Sequence, residues 1–122
     1  MVKDKEIKGY VYLLGDSGKE GIFKIGVTRG TIERRIKKLQ TGNSGELYIV
    51  DYFHSEHPFF IERWLHILYG NKKVLNEWFE LGINEMRRFK DDCQRFEDLY
   101  KVSHTYREIS KIKLGSELMI GL

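Results

Sequence analysis

Glu62 and His66 lie four residues apart behind His57-Pro58, and six cations crowd between Lys24 and Lys38 against the single acid Glu33. A carboxylate, an imidazole and a basic stretch are materials for phosphodiester hydrolysis. That reaction needs an attacking water, neutralised phosphate charge and a stabilised leaving oxygen. The floor for such a site is a pair of apolar runs, Gly9-Tyr10-Val11-Tyr12-Leu13-Leu14 and Phe23-Lys24-Ile25-Gly26-Val27-Thr28. Between them Gly15-Asp16-Ser17-Gly18 supplies turn chemistry, so the two runs predict a β-hairpin over about 9–27. Alternation along a strand places Tyr10 and Tyr12 on one face, and Phe23 and Ile25 on a face that excludes Lys24.

The elements that must position these groups follow in order. Thr31 is a plausible N-cap, and Ile32, Ile36 and Leu39 then recur at one face of a short helix. Arg35 flanks that stripe, while Arg34, Lys37 and Lys38 point outward. Gln40 to Gly45 reads as a loop, and Leu47 to Phe53 as a third strand, with Leu47, Ile49 and Asp51 opposite Tyr48, Val50 and Tyr52. Pro58 suits the first position of a helix over about 58–69, ended by Gly70-Asn71. Phe60, Trp64, Ile67 and Leu68 are expected on its buried side, with Glu62, His66 and Tyr69 along a common edge. Residues 72–81 form a connecting segment whose Trp78 and Phe79 are expected to close the core. A long helix over about 83–101 carries Met86, Phe89, Cys93, Phe96 and Tyr100 at steps of three and four. Such a stripe packs on the domain or on a second copy, a homodimer through the C-terminal helix. Residues 103–122 alternate weakly, end apolar and receive no assignment. The charged residues 1–8 are a lead-in.

The length of 122 residues allows one domain with a modest core. With 41% hydrophobic and 32% charged residues the chain has an ordinary globular balance, which argues against disorder. No apolar run approaches the roughly 18 residues of a membrane span, and the N-terminus lacks a signal-peptide core. Cys93 is the only cysteine, which excludes an intrachain disulfide and any argument for zinc; the expected compartment is the cytoplasm. The net charge of +3 is unevenly spread: residues 1–45 hold ten Lys and Arg against five Asp and Glu, whereas the remainder is slightly acidic. A basic first third reads either as a solvated face or as a phosphate-contacting patch.

The order of these pieces resembles the GIY-YIG nuclease superfamily, in the branch of phage and prophage DNA-binding proteins and of the meiotically up-regulated type. Tyr10-Val11-Tyr12 stands at the first motif and Lys24-Ile25-Gly26 at the second. Arg35-Ile36 matches the arginine of the first helix, and Leu39-Gln40-Thr41-Gly42-Asn43 is similar to the loop after it. Glu62, with Leu65-His66, fits the glutamate helix, and Asn76-Glu77-Trp78-Phe79 resembles the closing motif. The likeness covers residues 9–81. It departs from the pattern where Lys24 replaces the second motif's tyrosine, where Gly9 is displaced by one position, and where Val27 stands in place of a lysine found in excision-repair relatives.

The resemblance implies an α+β fold, a small three-stranded, mostly antiparallel sheet flanked by helices, with an added C-terminal helix. Residues 1–81 would be the nuclease-like domain and 82–122 a helical extension of the same unit. It implies DNA as partner and cleavage with one divalent ion, Mg²⁺ or Mn²⁺, held by Glu62. Arg35 would fork onto phosphate oxygens, as lysine does poorly. Tyr12 would orient the water or, beside a cation, act as base, against an ordinary pKa near 10. Lys24 reads as clamp and charge stabiliser, His66 as base or phosphate contact, and Asn76 as a hydrogen-bonding support or a turn cap. Thr28, Arg29, Lys38 and Asn43 are candidates for DNA backbone contact, which positions a duplex without reading sequence. A non-catalytic DNA-binding module on the same scaffold is the alternative.

Overall fold

Val11, Tyr12, Leu13 and Leu14 are each 0% exposed, because their strand is covered on both faces. That burial explains an apolar run with no polar interruption. The strand is β1 (Gly9–Asp16), and β2 (Lys19–Thr28) pairs with it antiparallel, Tyr12 opposite Gly26 and Leu14 opposite Lys24. A computed structural model gives this architecture and describes residues 8–119; most of the charged lead-in, at 1–7, and the last apolar residues, at 120–122, lie outside them. The hairpin turn is closed by Asp16, whose Oδ1 accepts the Gly18 N–H at 2.8 Å.

The chain continues through α1 (Ile32–Thr41), β3 (Leu47–Ser55), α2 (Pro58–Leu68), β4 (Lys73–Leu75), β5 (Trp78–Glu80), α3 (Ile83–Arg87) and α4 (Phe89–Met119). The strands form one open antiparallel sheet in the order β3-β1-β2-β5-β4. The α+β mixture is as expected, but the three-stranded sheet is not: it has five strands. The segment read as a connection folds into the β4–β5 hairpin, whose strands of three residues are too short to display alternation. Their turn is Asn76-Glu77, and Asn76 takes φ 51°, a left-handed backbone that asparagine tolerates.

Two cores sit on opposite faces of the sheet. Tyr12, Leu14 and Ile32 form the smaller, with Tyr10, Ile36 and Leu39 against it, so α1 covers this face. Thr31 caps α1 as expected, its Oγ1 accepting the Arg34 N–H at 3.2 Å. Val11, Leu13, Phe23, Ile25, Ile61, Leu65, Phe79, Phe89 and Cys93 belong to the larger, beneath α2 and α4. The expected split of Tyr10 and Tyr12 from Phe23 and Ile25 is therefore observed.

The expected faces of α2 are rotated. Pro58, Ile61 and Leu65 are buried, whereas Ile67 and Leu68 are exposed at 58% and 47%. This helix is apolar around most of its circumference, so periodicity alone does not select the side that meets the sheet. Phe60 and Trp64 turn instead to α4, packing on Tyr100 and Phe96 with ring centroids 5.0 and 6.1 Å apart. Tyr69 leaves the Glu62 edge altogether: its hydroxyl donates to buried Asp92 at 2.5 Å, a bond that ties α4 to α2. Trp78 does not close the core; Phe79 does, and alternation along β5 sends Trp78 to the other face. In β3 a register shift opposite Leu13 and Leu14 breaks the expected alternation, and both Val50 and Phe53 pack on the larger core. The helix expected over 83–101 is divided into α3 and α4, and α4 takes up much of the unassigned tail.

Candidate functional site at the β2 edge

Strand β5 pairs with β2 only from Ile22 to Lys24. One further bond follows, from the Ile25 N–H to the Glu77 carbonyl at 3.1 Å, and the hairpin then turns away. The Ile25 carbonyl points to the same side and lies 2.9 Å from His66 Nε2. Beyond it, among the described residues, the rim of β2 lacks a neighbouring strand.

From the α1 face, Tyr12 reaches this rim because its partner across the strands is a glycine. A β-carbon at Gly26 would stand 2.4 Å from the Tyr12 hydroxyl oxygen, so no larger residue leaves the ring in place. The hydroxyl accepts a 3.2 Å hydrogen bond from Arg35 Nε, and Ile32 and Ile36 hold the helix that carries the guanidinium. Burial raises the Tyr12 pKa above its ordinary value, and the bond and charge of Arg35 offset only part of this. The phenol therefore keeps its proton, which favours an orienting group over a base. Hydrogen bonding to Tyr12 is also the main cause that raises Arg35.

From the α2 face come Glu62 and His66, whose side chains are each 19% exposed. His66 Nε2 lies 3.2 Å from Glu62 Oε2, and its ring stands edge-on to Phe79 at 4.9 Å. With two oxygen acceptors on Nε2, that nitrogen carries the hydrogen and Nδ1 is left over. The Glu62 bond raises the His66 pKa, burial opposes it, and the Ile25 carbonyl adds to the rise.

Lys24 completes the group. Its Nζ pairs with Glu77 Oε1 at 3.0 Å, and its side chain is only 13% exposed. The negative charge of Glu77 acts on Tyr12, Arg35 and His66 together, and that of Glu62 acts on Tyr12 as well as on His66. Tyr12 with Arg35, Lys24 with Glu77, and Glu62 with His66 thus form three bonded sets near the end of the β2–β5 pairing, linked by the charges of Glu62 and Glu77; Tyr12 and Glu62 approach from opposite faces of the sheet rather than within one cavity.

The other expected residues are placed differently. Asn76 is exposed at the hairpin apex, where its backbone conformation rather than a hydrogen bond accounts for it. Asn43 is a latch: its Nδ2 donates to Asp16 Oδ2 at 2.9 Å and to the Gly45 carbonyl at 2.8 Å, which leaves no donor for DNA. Thr28 accepts the Gly30 N–H at 3.2 Å, and Arg29 lies over the Phe59 ring at 5.6 Å, both just past the open rim. Lys38 is exposed on α1, one turn from Arg35. Glu77 was missed as a site residue. The sequence signal for it was the two-residue turn that makes it the neighbour of Lys24.

A family model, the T5orf172 domain, matches residues 9–94, a stretch that takes in every element of this site. The chain belongs to the T5orf172 domain family. The match is to this family rather than to a GIY-YIG model, and T5orf172 membership is compatible with DNA binding. No curated protein and no solved structure matches the chain. Among the described residues of this T5orf172 domain, no helix is long and apolar enough to cross a membrane.

Glu62 spends one carboxylate oxygen on His66 and, among the described residues, has no hydrogen-bond partner on the other. Among the described residues no three His, Cys, Asp or Glu side chains form a cage. A magnesium-sized ion fits such a place, because it takes one or two carboxylates and fills the rest of its shell with water and phosphate oxygens.

Proposed function

We propose that this T5orf172 domain binds DNA and hydrolyses its phosphodiester bonds in the manner of GIY-YIG nucleases, with Mg²⁺ or Mn²⁺ held by Glu62. The observation that carries the reading is the placement of two cations, Lys24 and Arg35, a bonded tyrosine and a half-free carboxylate around the point where the β2–β5 pairing ends. A purely DNA-binding surface gains nothing from Glu62, which repels phosphate unless a cation intervenes.

Arg35 and Lys24 neutralise the phosphate, Arg35 as a planar fork and Lys24 as a point charge. Tyr12 accepts from Arg35 and keeps its own proton, so its hydroxyl is free to orient the attacking water or a phosphate oxygen. His66 holds Glu62 in place through Nε2. When bound, the ion supplies Lewis-acid charge to the phosphate and the leaving oxygen. Thr28, Arg29 and Lys38 would contact the flanking backbone.

Plasmid nicking with Mg²⁺ or Mn²⁺ tests this, beside Glu62→Ala. The expected result is nicking by the wild type, none by the variant, and DNA binding by both. Equal nicking by both would reject the metal role. The non-catalytic alternative draws on Lys24, which stands where the nuclease pattern has tyrosine and is already paired with Glu77. Binding without cutting under either metal would decide for it.

A further inference from the structure

Trp78 belongs to neither buried cluster. Its indole is half-buried on the α1 side of β5, with the Lys19 ammonium 4.6 Å and the Lys24 ammonium 5.5 Å from the ring centroid. Lys24 is also the cation that Glu77 holds at the β2 rim, so the ring and the candidate site share a charged group. Lys19 is different in kind: its side chain is 48% exposed, and besides the ring its contact is a 3.8 Å approach to Asp16. A flat aromatic face thus lies next to the proposed phosphate clamp, screened by a half-exposed lysine.

We propose that Trp78 is a stacking subsite for an unpaired nucleobase of the bound DNA, with Lys24 on the phosphate to one side of that base and Lys19 on the other. The inference rests on the DNA-binding reading above. Stacking on an aromatic ring is tolerant of sequence because every base has a π-face, and cations beside the ring match the charge of the flanking backbone. A base arriving at the ring displaces Lys19 towards a phosphate, exchanging a solvent-exposed cation–π contact for a charge-assisted one. Bases in an intact duplex are not available to such a ring. The subsite therefore favours DNA with an unstacked nucleotide near the bond to be cut, as at a single strand, a frayed end or a flap.

The chain has two tryptophans, so Trp64→Phe leaves Trp78 as the sole indole reporter. Two strands of equal length are titrated against this variant, one oligo-dT and one with abasic sites throughout. Anisotropy of an end-label reads binding, and indole emission reads stacking. The expected result is binding of both strands, with indole quenching by oligo-dT alone at the same midpoint as its anisotropy change. Trp78→Ala is expected to weaken oligo-dT binding by about 5- to 150-fold. Its salt slope stays unchanged, since no phosphate contact is lost. Trp78→Phe, which keeps a ring and the strand's apolar character, is expected to retain most of the affinity and guards against a folding defect. Binding without quenching, or equal weakening of both strands by Trp78→Ala, would overturn the subsite and leave DNA binding standing. Failure to bind either strand or a duplex at low salt would overturn both, and would turn the ring over to a protein partner.

Discussion

The hydroxyl oxygen of Tyr12 stands 2.4 Å from where a β-carbon of Gly26 would be, on the strand directly beside it. Gly26 is therefore a spatial requirement of Tyr12. Gly26→Ala is expected to displace the ring, break the bond from Arg35 and cost about 1–3 kcal/mol through overpacking. A thermal melt and a nicking assay check this together. A variant as stable and as active as the wild type would remove Tyr12 from the site.

Arg35 offers Nε to Tyr12 and keeps its two terminal nitrogens for another partner. Arg35→Lys keeps the charge and loses the fork. Its expected signature is a fall in nicking rate of at least about tenfold, with DNA affinity reduced far less. Loss of affinity and rate in equal measure would mean that the residue only attracts DNA.

Glu77 neutralises Lys24 at 3.0 Å, and an incoming phosphate has to compete with it. Glu77→Gln is expected to tighten binding to DNA. It should also steepen the salt dependence by about 0.9 log units per log unit of salt, one further phosphate contact. The gain should vanish in the double variant with Lys24→Met. Fluorescence anisotropy across a salt series gives both quantities, and weaker binding with an intact fold would contradict the pairing.

Asp16 is buried between the hairpin turn and the α1–β3 loop. Burial alone would raise its pKa, but the Asn43 amide, the Gly18 N–H and Lys19 together hold it below the usual value. A folded-state pKa below the unfolded one means that this contribution is complete above the unfolded value, near 3.9, and is lost as pH falls through the folded one. Asp16→Asn is expected to cost about 2 kcal/mol at neutral pH. The deficit should then shrink as both proteins are taken below about pH 4. Denaturant melts at several pH values measure it; a constant difference would contradict the linkage.

The sequence displays most plainly what one face of one element determines. The cap at Thr31, the stripe of Ile32, Ile36 and Leu39, and the alternation of Tyr12 with Leu13 are local facts. The rotation of α2 was hidden because Phe60, Trp64, Ile67 and Leu68 are as apolar as Ile61 and Leu65, so only the position of α4 decides between them. The fourth and fifth strands were hidden by their length, and their hairpin was signalled by Asn76-Glu77 alone. At the site, Tyr12 is bonded to Arg35, Lys24 to Glu77 and Glu62 to His66, whereas Asn43 and Asn76 serve the chain's own turns. Glu77 is legible as a partner of Lys24 only through the two-residue turn between the two short strands.

Two separate hydrophobic layers carry the two halves of the site, one beneath Arg35 and one beneath Glu62. A small void opened under Ile36 would tilt the guanidinium while leaving the carboxylate untouched, and a void under Ile61 would do the reverse. Alignment of the candidate site is thus a vernier between independently seated parts, and under the nuclease reading proposed above slack in either seat would be felt as lost rate before any loss of fold.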